Sequence, residues 1–277
     1  MTSIPYYHVD AFTSALFAGN PAGVCIVSAF PPDRTMLQIA AENRHSQTAF
    51  VVQRGADNFD LRWFSPVIED DLCGHATLAT AHVLALRAHK AWPARFQTMS
   101  GELRAARTSG GGGGDWFELD FPARPAAACD VPATLLPALG LRDAQVLKDT
   151  RDYLVVVERA EQVAAVNPDF TALARITSGT GGAIVTAPGD GGGGGGGGGN
   201  CDYVVRFFAP SVGIPEDPAT GSITCTLVPY WAARLGKRTL RARQLSPRGG
   251  ELRGELAGDR VKIAGQARLY LQGTIEI

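Results

Sequence analysis

One short block of this chain occurs twice. Arg62-Trp63-Phe64-Ser65-Pro66, Glu69-Asp70 and Cys73-Gly74-His75 return in the same order as Arg206-Phe207-Phe208-Ala209-Pro210, Glu216-Asp217 and Thr220-Gly221-Ser222. Gly101-Glu102-Leu103-Arg104 likewise returns as Gly250-Glu251-Leu252-Arg253. Each copy reads as a strand ending at a proline, an acidic turn, an elbow of small residues and then a helix. Two copies of one unit predict two similar lobes with a cleft between them. Each elbow presents a helix N-terminus, whose unpaired N–H groups and partial positive charge suit a small anion.

Length and composition agree with that reading. A chain of 277 residues can bury a substantial core. With 45% hydrophobic and 19% charged residues it has the balance of a globular protein rather than a disordered one. A formal net charge of -1 gives no reason to expect nucleic acid or a membrane surface as partner. The N-terminus lacks a charged start and an apolar run, and Gly19-Asn20-Pro21 interrupts the uncharged stretch after it, so the expected location is the cytoplasm. Five cysteines without CxxC spacing argue against a disulfide framework or a zinc site.

Periodicity places strands at Tyr6 to Phe12, Ala22 to Val27, Thr48 to Gln53 and Leu61 to Phe64. A helix is predicted over Asp33 to Asn43 with Asp33 as N-cap, and a long one over Gly74 to His89. A second long helix, Gly221 to Leu235, carries Pro229 in its interior, where a kink is expected. Pro122 to Pro132 reads as the connection between lobes. The predicted domains are 1–123, which the strand 266–277 is a candidate to complete, and 124–265. The glycine runs 110–114 and 191–199 read as flexible coil, either real insertions at hairpin tips or residues entered as glycine for want of an identity.

These residues resemble a known family, the phenazine-biosynthesis PhzF-like proteins, relatives of diaminopimelate epimerase. The resemblance rests on Val9-Asp10-Ala11-Phe12-Thr13 with Gly19-Asn20-Pro21-Ala22, on Ser46-Gln47-Thr48-Ala49-Phe50, and on both elbow blocks. It extends to the tail through Arg248-Gly249-Gly250 and Gly258-Asp259-Arg260-Val261. It implies an α+β fold of two similar lobes, each a curved, mostly antiparallel sheet or barrel around a central helix. It also implies a homodimer and an isomerisation that needs no cofactor and no metal, on a small carboxylic acid bound between the lobes.

By the same resemblance the catalytic positions are Gln47, His75 and Asp217. The binding positions are Asn20, Ser46, Gly74, Gly221 and Ser222. The family's best understood member has a glutamate acid/base where this chain has Gln47. An amide orients a substrate but does not exchange a proton near neutral pH. The related epimerase uses two thiols; Cys73 matches the first, but Thr220 stands where the second would be, which argues against a two-thiol racemase. Two functions are therefore expected, a proton-moving isomerase using His75 and Asp217 or an inactive small-anion binding protein of the same fold, with a hydrolase or lyase using Cys73 as nucleophile a weaker third. Glu69, Asp70, Asp71 and Glu216 are read as solvated turns, Cys73 as an inert elbow residue, and the four tryptophans as core or interface anchors.

Overall fold

The computed structural model describes residues 2–109, 114–191 and 201–277. The chain divides into two compact units, residues 1–121 with 262–277 and residues 122–261. Most of the two glycine runs lies outside the described residues.

The first unit contains, in chain order, β1 (Ser3–Ala11), β2 (Asn20–Val27), α1 (Asp33–Asn43), β3 (Gln47–Gln53), β4 (Asn58–Phe64), β5 (Glu69–Asp70), α2 (Gly74–Leu86), β6 (Ala94–Thr98), β7 (Gly101–Ser109) and β8 (Asp115–Pro122). The second contains α3 (Leu135–Ala138), β9 (Gln145–Lys148), β10 (Tyr153–Val156), α4 (Ala160–Ala164), α5 (Phe170–Ile176), β11 (Ala183–Pro188), β12 (Tyr203–Ala209), β13 (Ile214–Asp217), α6 (Thr224–Leu235), β14 (Thr239–Gln244) and β15 (Gly250–Ala257). β16 (Arg260–Gly265) and β17 (Ala267–Glu276) end the chain.

In the first unit β17 pairs antiparallel with β1 and β1 with β2. β2 then runs parallel to β3, β3 antiparallel to β4, β4 parallel to β6, and β6 and β8 antiparallel to β7. The sheet is mixed and, among the described residues, does not close into a barrel, so the barrel form of the expectation is corrected. The parallel steps arise because α1 and α2 each carry the chain back across the sheet.

Alternation along the strands sorts two cores. Cys25, Val27, Phe50, Val52 and Phe64 face α1, where Met36, Ile39 and Ala40 close the layer. On α2 nearly every residue from Gly74 to Leu84 is buried, and the helix contacts β1, β2, β3, β7 and β17. A helix apolar on all sides is one surrounded by protein. Ala76, Ala79 and Ala81 are fully buried and let the strands approach it closely. α2 ends at Leu86 rather than His89. α1 has Pro32 as its N-cap, with Asp33 the first helical residue.

The second unit repeats the plan. β10 lies parallel to β11, β11 antiparallel to β12, and β12 parallel to β14. Leu135, Leu139, Val163 and Leu173 pack against Val155, Val185 and Phe208. α6 contacts β14 and β15, and Trp231 on it is fully buried, stacked on Tyr203 at 5.9 Å. A Cβ at Gly254 would come within 2.3 Å of Val228, so β15 can pass the helix only as glycine. Trp63 and Trp116 are buried as well, as core anchors should be.

The repeat extends to side-chain geometry. Trp63 lies opposite Asp70 in one copy and Phe207 opposite Asp217 in the other. Arg62 donates to both oxygens of Glu69, at 2.7 and 2.6 Å, and Arg206 to both oxygens of Glu216, at 2.7 and 2.9 Å. Each guanidinium also sits over the phenylalanine two residues on, Phe64 at 5.1 Å and Phe208 at 4.9 Å.

Candidate functional site

Topology gathers the predicted residues of the first unit at one end of its sheet. β2 and β3 are parallel with Ala22 opposite Gln47, so Asn20 and Ser46 lie at the same end. β4 runs the other way and finishes there, with Thr48 opposite Phe64. The turn after it delivers β5 and then the start of α2. Gly19 sets the entry to Asn20: it has φ of +65°, and a Cβ there would be 2.2 Å from the Ala11 carbonyl.

Cys73 precedes α2 in an extended conformation and gives the first turn no side-chain cap. The bond from the Thr77 N–H to the Cys73 carbonyl, 3.4 Å long, closes that first turn. The Gly74, His75 and Ala76 N–H groups therefore have no partner inside the helix, and all three residues are buried. Buried donors at a positive helix end have the chemistry that suits an anion.

His75 is 4% exposed. Its Nδ1 lies 3.6 Å from the Cys73 sulfur, and its Nε2 has no hydrogen-bond partner among the described residues. Burial, reinforced by the nearby charge of His45, pushes its pKa down to about 3, so the ring is neutral at physiological pH. His45 in turn bonds the Tyr6 hydroxyl at 3.0 Å, with the His8 ring 4.2 Å away.

Gln47, 7% exposed, donates its amide to Asp70 Oδ2 at 3.0 Å. Asp70 is half-buried, not the fully solvated turn residue expected. Glu69 and Glu216 are engaged by their arginines, which corrects the same expectation for them. The sequence carries a signal for Asp70: in the repeat it stands where Asp217 stands in the other copy.

In the second unit Asp217 closes β13 and is 4% exposed. The Thr220 hydroxyl donates to its Oδ2 at 2.5 Å. Gln244 at the end of β14 locks the turn: it accepts the Thr220 N–H at 2.8 Å and donates to the Asp217 carbonyl at 2.6 Å. Nothing in the sequence singles out Gln244. α6 begins at Thr224 rather than Gly221, and Gly221, Ser222 and Ile223 form a tight turn ahead of it. Bonds from the Thr224 N–H to the Gly221 carbonyl, 3.1 Å, and from Cys225 to Ser222, 3.2 Å, give that turn i→i+3 pitch. Arg124 steadies it by donating to the Ser222 carbonyl at 2.6 Å.

Among the described residues, no three His, Cys, Asp or Glu side chains are grouped so as to hold a metal ion, and all five cysteines are free thiols. Among them, too, no helix is long and apolar enough to cross a membrane.

Residues 9–273 match the sequence model of a family described as "Phenazine biosynthesis-like protein". A protein of Pseudomonas aeruginosa described as an uncharacterized isomerase is 46% identical, the match covering 98% of each chain. A crystal structure of a phenazine biosynthesis protein of the PhzF family from Enterococcus faecalis is 40% identical, covers 100% of both chains and superposes with a TM-score of 0.86. A probable proline racemase from Agrobacterium radiobacter, 13% identical with a TM-score of 0.63 over 99% of this chain and 93% of its own, shares the fold.

Proposed function

The chain belongs to the phenazine biosynthesis-like PhzC–PhzF family, an isomerase-type family by the names of its relatives, and from that footing we propose that it is an isomerase moving a proton on a small carboxylic acid. The observation that carries this reading is the start of α2, where buried N–H groups without a side-chain cap lie beside a buried histidine whose Nε2 has no partner among the described residues.

Removing a proton next to a carboxylate delocalises the C–H electron pair into that carboxylate. The intermediate holds more charge on the carboxylate oxygens than the ground state does. Fixed donors aimed at those oxygens favour the intermediate and so lower the barrier. The Gly74, His75 and Ala76 N–H groups are such donors, and Gly221 and Ser222 are their counterparts in the second repeat. Asn20 and Ser46, beside the entry to β2 and β3, would orient the acid. His75, neutral down to about pH 3, serves as a hydrogen-bonding group at the acid; a ring so weakly basic makes a poor proton acceptor. Gln47 contributes its amide as a hydrogen-bonding group and not as an acid or base. Proton transfer is then left to carboxylates, of which Asp217 is one. No cofactor is required by this chemistry, and a cytoplasmic homodimer is the form in which it is proposed to work.

The test is incubation with a panel of small unsaturated and cyclic carboxylic acids in heavy water, read by proton NMR. Deuterium entering the carbon next to the carboxylate supports the isomerase, and Asp217→Asn should slow that exchange about 100-fold or more. Saturable binding of an acid with no deuterium uptake would establish the anion-binding protein that Gln47 argues for.

A further inference from the structure

We propose that Asp70 is an acid/base residue of this site, the carboxylate that takes the substrate proton and returns it; the inference rests on the isomerase reading above. Three observations lead there. A proton shuttle needs a group that titrates, and around the start of α2 the amide of Gln47 does not, while the His75 ring stays neutral. Asp70 is the carboxylate joined to Gln47, at 3.0 Å, and it lies four and five residues before Gly74 and His75, whose N–H groups have no side-chain cap.

The repeat supplies the second observation. Asp70 lies opposite Trp63 in β4 as Asp217 lies opposite Phe207 in β12, each one residue after a glutamate locked to an arginine. The arginine–glutamate clamp fixes the backbone on one side of the strand. Side chains alternate, so the aspartate is sent to the other side in both copies. The fold thus builds an aspartate into each elbow.

The third observation is how each aspartate is held. Asp217 takes the Thr220 hydroxyl on Oδ2 and Asp70 takes the Gln47 amide on Oδ2. Asp70 is half-buried, where the more deeply buried Asp217 is 4% exposed, so it is the more accessible of the two. Gln47 is then a positioning residue that acts through Asp70.

The step balances without an oxidant or reductant. An Asp70 oxygen takes the proton as the C–H bond breaks, and the bond's electron pair passes into the substrate carboxylate. The same proton, or one exchanged with solvent, then returns from Asp70 to carbon, and the aspartate is regenerated.

The experiment follows deuterium exchange at C1 of cyclohexa-2,5-diene-1-carboxylate in heavy water, using the full chain and the variants Asp70→Asn, Asp70→Ala and Gln47→Glu/Asp70→Asn. The native chain should exchange C1–H. Asp70→Asn should lose about 100-fold or more in rate, with an unchanged melting temperature and an unchanged KM. Gln47→Glu/Asp70→Asn, which moves the carboxylate across the same hydrogen bond, should regain at least tenfold of that loss, and formate should rescue Asp70→Ala. A purely structural role would produce neither recovery. Exchange by Asp70→Asn within threefold of the native rate overturns the role of Asp70, as does a loss that neither the relocated carboxylate nor formate restores. A native chain that exchanges neither this C1–H nor any acid of the panel above removes the isomerase reading itself, and this role with it, so the two failures are distinguishable.

Discussion

Arg206 grips Glu216 with two nearly parallel hydrogen bonds, and its remaining nitrogen caps a helix end, Nη1 donating to the Val166 carbonyl at 2.7 Å and the Ala164 carbonyl at 3.2 Å. The pair is little exposed, 12% and 15%, so solvent screens it weakly. Losing the guanidinium leaves a buried carboxylate and several carbonyls without donors. Arg206→Met should cost about 2 kcal/mol in urea unfolding. The equivalent Arg62 is more exposed, 24%, and its further partner Asp33 is 70% exposed. Arg62→Met should cost about 1 kcal/mol, and the reverse order would show that burial does not set the cost of losing a clamp.

This clamp also shows what can be read from the residues alone. Arg62-Trp63-Phe64 and Arg206-Phe207-Phe208 expose the duplication because the same residue types are needed twice for one backbone course. The strands β3, β10 and β11 are visible because burial on both faces demands apolar residues throughout, and the end of β4 because Leu61, Trp63 and Phe64 are buried. The start of α6 is not visible. Gly221 and Ser222 look like a helix opening, but Asp217, Thr220 and Gln244 hold the chain in a turn that delays the helix to Thr224. Gln244 is far away in sequence, and no local pattern announces its two bonds to that turn. Asp70 is signalled by the repeat alone, since an acidic turn normally faces water and only the pairing of β3 with β4 brings Gln47 up to it.

The histidines set the acid limb of stability. Burial lowers His75 to about 3 and His82 to about 4, both below the roughly 6.5 of an unfolded histidine. The unfolded chain therefore takes up protons that the folded chain refuses, and stability falls as pH drops below about 6.5. Asp152 acts in the opposite sense. Burial, with the Asp149 charge adding to it, raises it to about 6, so its contribution is full at low pH and lost as pH rises towards 6. Between about pH 4 and 6 it offsets one of the two histidines. His82→Gln should remove up to about 1.4 kcal/mol per pH unit of the acid slope between pH 6 and 5, measured by denaturant titration at each pH. An unchanged slope would mean that His82 protonates in the folded state as easily as in the unfolded one.

Gln47→Glu places a second carboxylate against Asp70, where the amide now sits 3.0 Å away. Two acids that close cannot both ionise freely, and the first proton is held to higher pH than either would hold alone. The raised carboxylate favours the folded state at low pH and disfavours it as pH rises past its own value. The variant should thus melt lower than the native chain at pH 8 and come closer to it at pH 5. Its pH–rate profile for exchange should have an acid limb about one unit or more above the native limb. Coincident limbs would mean that the introduced carboxylate and that of Asp70 do not share a site.

Gln244→Ala tests whether the second elbow must be held rigid. Gln244 is 2% exposed and donates to both the Asp217 carbonyl, at 2.6 Å, and the Thr220 hydroxyl, at 3.1 Å, while accepting the Thr220 N–H. Truncation leaves these buried groups unpaired and should cost about 2–3 kcal/mol of stability. The Thr220 hydroxyl, freed from its second partner, then no longer holds the Asp217 carboxylate in one rotamer. A misplaced acid/base group loses rate more than binding. The exchange rate at saturating acid should drop at least tenfold, with KM within about twofold of the native value. Gln244→Glu, which keeps the acceptor for the Thr220 N–H but lacks the amide donor, should recover part of the stability and little of the rate. Full rate in Gln244→Ala would show that Thr220 alone suffices to aim Asp217.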